Sequence, residues 1–211
     1  MSASDPRSFW EDVYQTRRAT SSGQPSAALV RVASGLTPGR ALDLGSSNGD
    51  DVIWLAQQGW QALGVDISET ACNRARQQAE ALGLDGRARF EARDLSRGLP
   101  EGRFDLVTAF FLQSPVDLAR NTILHAGADR VAPGGHLLVL AHAAPPPWAS
   151  DDMKARAHEM PTVQSELDAI GYTPRQWIQM QAEIVHREGR GPDGTTAQLQ
   201  DTFVLLQRRA D

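Results

Sequence analysis

The chain has 211 residues, 41% of them hydrophobic and 22% charged, with a formal net charge of −5. That length buries a core as one domain, or one domain with a small cap, without disulfides or metal, and the single Cys72 excludes an intrachain disulfide. The acidic balance argues against a nucleic-acid partner, no run reaches the roughly 18 apolar residues of a membrane span, and no basic-then-apolar leader is visible, so a cytoplasmic chain is expected.

In chain order, two helices are expected around Ser8 to Gln15 and Ser26 to Leu36. From residue 40 onward strand and helix signals alternate. Ala41 to Leu44 is an apolar run ending at Gly45, and Val52 to Gln58 has helical spacing and stops at Gly59. Gln61 to Val65 reads as a second strand ending at Asp66; Ser68 is placed to cap a helix that runs to about Leu82 and stops at Gly83. Ala88 to Ala92 and Phe104 to Phe111 read as strands three and four, followed by a helix from about Asp117 to Val131. Pro133-Gly134-Gly135 reads as a tight turn into a fifth strand, Leu137 to Ala141. Pro145-Pro146-Pro147-Trp148 breaks regular structure, as a lid or a rigid connector. A helix from Thr162 to Ile170 stops at Gly171. Ile178, Met180, Ala182 and Ile184 then alternate with polar residues, a loop spans Gly189 to Gly194, and Thr202 to Gln207 closes the chain as a strand. The last two strands suggest an antiparallel hairpin at a sheet edge.

Alternating strands and helices imply right-handed crossovers and a mainly parallel sheet, with ligands bound outside the strands' carboxyl ends. The strongest local signal lies there: Asp43-Leu44-Gly45-Ser46-Ser47-Asn48-Gly49-Asp50-Asp51, between a strand and a helix. Its glycines permit a sharp turn and close approach of a ligand, and Asp66 follows at about the 20-residue spacing of a ribose-binding acid. A dinucleotide would set its pyrophosphate at the N-terminus of the first helix. Asp50 and Asp51 occupy that end, would repel a pyrophosphate, and would tolerate an ammonium or sulfonium. A cationic nucleoside fits; a nicotinamide-dependent oxidoreductase is the rival, and a non-catalytic nucleoside-binding domain the second.

These residues resemble the class I S-adenosylmethionine-dependent methyltransferases. The matching pieces, in order, are Ala41 through Gly49, Gly64-Val65-Asp66-Ile67-Ser68, Arg93-Asp94-Leu95, Phe104-Asp105-Leu106-Val107 and Ala132 through Val139. The opening Phe9-Trp10-Glu11-Asp12-Val13-Tyr14 is similar to small-molecule members of the tellurite-resistance and thiopurine type. The resemblance implies a Rossmann-like α/β fold: a three-layer α/β/α sandwich of about seven strands, mostly parallel with an antiparallel last strand. One domain would cover 1–211, with N-terminal helices over 1–39, a cofactor-binding core over 40–142 and a variable region with an edge hairpin over 143–211. It implies that Gly45, Ser46, Asn48 and Gly49 pass the methionine and ribose of S-adenosylmethionine, that Asp43 holds the ammonium, and that Asp66 takes the ribose hydroxyls. Ile67 would pack on the adenine, Asp94 and Leu95 would read its edge, and Phe110 would lie near the transferred methyl. Trp10 and Tyr14 would cover the sulfonium. Ser47 stands where the family usually has glycine, and is read as an unstrained variant turn.

The implied reaction is direct methyl displacement onto a small, partly apolar acceptor, with S-adenosylhomocysteine as product. Gln113 and Ser114 fall where the family contacts its acceptor. His142, at the ligand end of the fifth strand, is the candidate general base. His136, at the other end, reads as structural, His125 as surface or packing, and His158 and His186 belong to the variable tail. No metal-ligand spacing is present. The partners expected are a small-molecule acceptor, with neither nucleic acid nor membrane; nothing in the sequence speaks to oligomeric state.

Overall fold

The computed structural model describes residues 5–210. Seven strands form one sheet: β1 (Arg40–Leu44), β2 (Gln61–Asp66), β3 (Ala88–Ala92), β4 (Phe104–Phe110), β5 (Val131–His142), β6 (Trp177–Arg190) and β7 (Thr196–Arg208), in the spatial order β3-β2-β1-β4-β5-β7-β6. The first five pair in parallel; β7 runs antiparallel to both β5 and β6. The expected edge hairpin is therefore present, with its second strand inserted between the first and the parallel sheet.

Helices α1 (Pro6–Thr16), α2 (Ala27–Ala33), α3 (Asp50–Gln57), α4 (Glu69–Ala81), α5 (Arg120–Asp129), α6 (Asp151–Ala155) and α7 (Val163–Ile170) complete the chain, with short 3-10 turns after β3 and α6. Alternation along the strands divides the core into two layers. Leu42, Leu44, Val107 and Val139 point to the side covered by Ile123 and Leu124 of α5 and Ile170 of α7. Ala41, Leu106, Leu138 and Leu140 point to the side covered by Leu29 of α2, Leu55 of α3 and Ala75 of α4. Burying each large aliphatic side chain contributes about 1.5–3 kcal/mol. This double coverage explains why β1, β4 and the second half of β5 are near-continuous apolar runs.

Local chemistry sets the helix ends. The Ser68 hydroxyl accepts the Ala71 N–H at 3.1 Å to start α4, and Thr162 and Ser165 form a reciprocal cap for α7. Gly171 ends α7 in the left-handed conformation, with φ of 73°.

The hairpin strands run longer than expected, β6 to Arg190 and β7 from Thr196, and two boundaries around β5 also differ. Helix α5 covers Arg120–Asp129, shorter than 117–131, because Val131 pairs with Phe104 as the first residue of β5. Pro133-Gly134-Gly135 is not a turn into β5 but a bulge within it: register passes from Phe104↔Val131 to Leu106↔His136. Gly135 lies so close to β4 that a Cβ there would stand 3.0 Å from the Asp105 carbonyl oxygen. Among the described residues no helix is long and apolar enough to cross a membrane.

Candidate active site

Strand order reverses between β1 and β4, and the crevice at their carboxyl ends is where an α/β sheet binds ligands. A cavity of about 1340 Å³ lies there. It is lined by Trp10, Asp43, Gly45, Ser46, Asn48 and Gly49, and also by Asp66, Ile67, Asp94, Leu95, Phe110 and His142. Every residue singled out for cofactor or catalysis from the sequence thus faces one space.

The loop after β1 supplies the floor. Gly45 has a φ of 81°, and a Cβ on it would meet Leu112 at 2.8 Å. Gly49 has a φ of 85° and caps α3, with Asp50 and Asp51 in the first turn. Ser47 corrects an expectation. Its φ of 52° lies in the left-handed region, which costs an L-residue about 1–2 kcal/mol. Its N–H donates to Asp66 Oδ2 at 2.9 Å, the contact that holds it there.

Three acids converge on this loop. Asp43 is buried and accepts the Thr108 hydroxyl at 2.7 Å. Burial, reinforced by nearby Asp51 and Asp66, pushes its carboxyl far above the ordinary range despite that bond. Asp51 is raised by burial and by Asp50, although the Ser26 N–H donates to it at 2.6 Å. Asp66 is raised by burial against the donors around it: Ser68 N–H at 3.0 Å, Ser47 N–H, and the Tyr14 hydroxyl at 3.3 Å. Among the described residues, no Lys, Arg or His pairs with Asp43, Asp51 or Asp66 within 4.0 Å. Buried beside them, Ser46 Oγ and Asn48 Oδ1 have no hydrogen-bond partner. The site therefore presents acids that lack a cation of their own beside two buried oxygens without a partner, Ser46 Oγ and Asn48 Oδ1, which suits a ligand carrying a positive charge and hydrogen-bond donors.

The N-terminal segment is strapped over these acids. Glu11 accepts the Ser68 hydroxyl and the Glu69 N–H, at 3.1 and 2.6 Å, at the start of α4. Ser21 and Ser22 donate to Asp50, and the Asn48 amide donates to the Arg18 carbonyl at 3.3 Å. Tyr14, expected over a sulfonium, instead places its hydroxyl on Asp66. Trp10 lines the cavity and donates its indole N–H to Ser114 at 3.3 Å. Asp94 caps the 3-10 turn Leu95–Arg97 by accepting the Ser96 N–H at 2.9 Å.

The opposite wall comes from β4, β5 and the hairpin. Gln113, expected against the acceptor, brackets the backbone of His142: its amide oxygen accepts the His142 N–H at 2.8 Å. The His142 ring stacks on Phe111, with centroids 4.4 Å apart. Phe111 has a φ of 51°, strained for a bulky residue at about 1–3 kcal/mol and fixed by its N–H to the Leu140 carbonyl. His142 Nδ1 lies 3.0 Å from Asp201 Oδ1, and Arg187 Nε donates to Asp201 Oδ2 at 2.6 Å. Burial alone would raise the Asp201 carboxyl, but the bonds from His142 and Arg187 outweigh it and hold it below the usual range. An ionised carboxylate only accepts, so the contact puts a proton on Nδ1, and in the neutral ring that leaves Nε2 as the acceptor. Asp201, Arg187 and His186 reach this cavity without having been singled out as site residues. A period-2 segment bearing charges on one face was the available signal. Trp148 packs near Gly191 at the hairpin turn rather than on the cavity, so the proline run is a connector. Among the described residues, no group of three or more His, Cys, Asp or Glu is placed to hold a metal.

Residues 41–135 match the methyltransferase domain family. Over that segment, from β1 into β5, the chain is similar to methyltransferases. Relatives of the chain include the ribosomal RNA small subunit methyltransferase C of Alcanivorax borkumensis, 33% identical over 125 residues, covering 56% of this chain and 37% of that protein. The 2-heptyl-1-hydroxyquinolin-4(1H)-one methyltransferase of Mycobacteroides abscessus is 31% identical over 122 residues, covering 56% of this chain and 53% of that protein. The chain therefore matches about half of these relatives' length or less. The magnesium protoporphyrin IX methyltransferase of Synechocystis, solved with bound S-adenosylmethionine, shares the methyltransferase fold at a TM-score of 0.63 and 19% identity, over 99% of each chain.

Proposed function

We propose that this chain transfers the methyl group of S-adenosylmethionine to a small, partly apolar acceptor by direct displacement, releasing S-adenosylhomocysteine, and that residues 1–211 act as one methyltransferase domain. The observation that carries the reading is the acid cluster of buried Asp43 and Asp66 with half-buried Asp51, without a cation of its own, around a glycine-bent loop. Asp43 would hold the ammonium, Asp66 the ribose hydroxyls in place of Tyr14, and Ile67, Asp94 and Leu95 the adenine. Gly45, Ser46, Asn48 and Gly49 would pass the methionine and ribose, and Trp10 and Phe110 would border the sulfonium. Bound there, the cofactor supplies an electrophilic methyl on a positively charged sulfur.

The chain's own contribution is binding, alignment and proton transfer. His142 takes the acceptor's proton at Nε2, and Asp201 holds the ring by Nδ1 and stabilises the imidazolium that results. Phe111 and Gln113 fix the ring's plane and the strand that carries it. A small molecule is favoured over nucleic acid because the chain is acidic and the reactive groups line a cavity rather than a basic groove.

The test is calorimetry with S-adenosylmethionine, S-adenosylhomocysteine and NADH. The first two are expected to bind and NADH not to. Binding of NADH with no binding of S-adenosylmethionine would overturn the reading.

A further inference from the structure

The end of the cavity away from the acids has a different chemistry. Strands β5, β7 and β6 lie side by side there, with Leu140 opposite Phe203, His142 opposite Asp201, and Asp201 opposite Val185. Opposed residues in an antiparallel pair share a face, so these side chains form one wall, and Arg187, two residues beyond Val185, belongs to it.

Arg187 gives its Nε to Asp201, while its terminal nitrogens have no hydrogen bond to any described residue. Its guanidinium stands 5.3 Å from the centre of the Phe111 ring. Arg31, from α2, reaches over the same wall. Its guanidinium lies 4.4 Å from the centre of buried Phe203, and its one hydrogen bond is a 3.4 Å contact to the Gln181 amide oxygen. No carboxylate of a described residue pairs with Arg31 within 4.0 Å. Glu183 shares this face but accepts from Gln181 and does not line the cavity.

Among the described residues Asp201 is thus the one carboxylate that pairs with either of these two guanidinium groups, and it pairs with Arg187 alone, in a chain whose overall charge is −5. Guanidinium groups laid on aromatic faces, with terminal nitrogens turned to a cavity, suit a planar oxyanion held in bidentate fashion. Phe110 and Phe111 line the same cavity and supply flat apolar surface.

We infer that the acceptor is a flat, largely apolar molecule bearing a carboxylate, which Arg31 and the free nitrogens of Arg187 bind while its body lies against Phe110 and Phe111. This rests on the methyl-transfer reading and specifies its substrate class. The two ends of the cavity then take ligands of opposite charge, so that neither ligand competes for the other's end.

The test separates the two readings. The purified chain is first titrated with S-adenosylhomocysteine by calorimetry, and failure of that step would overturn the methyl-transfer reading and this inference with it. The saturated complex is then titrated with three shape-matched probes: 3-hydroxy-2-naphthoate, its carboxamide, and the corresponding 2-aminomethyl compound. The carboxylate is expected to bind at least about tenfold more tightly than the amide, the lower end of a charge-assisted hydrogen bond, and more tightly still than the amine. R31Q, at an exposed position, should reduce that preference to about threefold or less with S-adenosylhomocysteine affinity unchanged, and R31K should restore part of it. Equal or tighter binding of the amide or amine, binding of none of the three, or a preference unaltered in R31Q would overturn the inference while leaving methyl transfer standing.

Discussion

The two ends of the cavity carry opposite charge for different structural reasons. At the end formed by β1 and β2, the acids sit at the carboxyl ends of parallel strands or in the first turn of the helix that follows. Asp43 and Asp66 each lie at or next to the carboxyl end of their own strand, 23 positions apart in sequence and one strand apart in space. At the other end, the working groups come from strands that meet only by antiparallel pairing. His142 and Asp201 are 59 residues apart, and Arg187 joins them from a third strand. The first end is a local motif repeated along a parallel sheet; the second is an assembly made by the sheet's edge.

The largest effect should come from the edge. His142→Ala is expected to cut turnover about 10²–10⁴-fold, the usual share of a general base, with S-adenosylhomocysteine affinity nearly intact. Asp201→Asn should cost less and shift the acid limb of the pH–rate profile, since it removes the charge that fixes the His142 proton on Nδ1. Normal turnover and an unchanged profile in His142→Ala would remove proton transfer from the account of this wall.

The parallel end is probed by Asp66→Ala. Hydrogen bonds to a charged group are worth about 1.5–3 kcal/mol, so cofactor affinity should fall about 10–100-fold. Measured by calorimetry on a folded variant, an unchanged affinity would leave Asp66 as a purely structural partner of Ser47, Ser68 and Tyr14.

A pH series sharpens the contrast further. Asp43 and Asp51 titrate higher in the folded chain than the ordinary value of ~3.9. Their contribution to stability is therefore complete below that value and is lost as pH rises through their raised values. A cation bound beside them favours the ionised form. The increase in melting temperature given by S-adenosylmethionine should accordingly grow between about pH 5 and about pH 9. In Asp43→Asn the free protein should lose less stability over that range, and the growth should flatten. An increase independent of pH in both proteins would separate these acids from the cofactor's charge.

The smallest expected effect is at Ser47. Glycine there would relieve a left-handed backbone worth about 1–2 kcal/mol while adding about 0.5–1 kcal/mol of chain entropy to lose on folding. Ser47→Gly should raise the melting temperature by about 1–3 °C, read by calorimetry, with cofactor affinity unchanged.

The sequence by itself determined the alternation of strands and helices, the β1–α3 loop, the acid ending β2, the Ser68 cap, the Gly171 stop and the existence of the edge hairpin. Each of these is a local matter of periodicity, glycine torsions or capping, decided within a few residues. Only the tertiary structure decided that β5 begins at Val131, because a strand start ahead of a Pro-Gly-Gly segment depends on pairing with Phe104 across the sheet. It alone placed Ser47 and Phe111 in left-handed backbone, since the partners that hold them there, Asp66 and Leu140, are 19 and 29 residues away. It alone joined His142 to Asp201, set Tyr14 on Asp66 and laid Arg31 over Phe203. Those contacts follow from strand order and register, which no local sequence pattern encodes, because pairing energy is shared between distant segments and is fixed only when the whole sheet closes on its two cores.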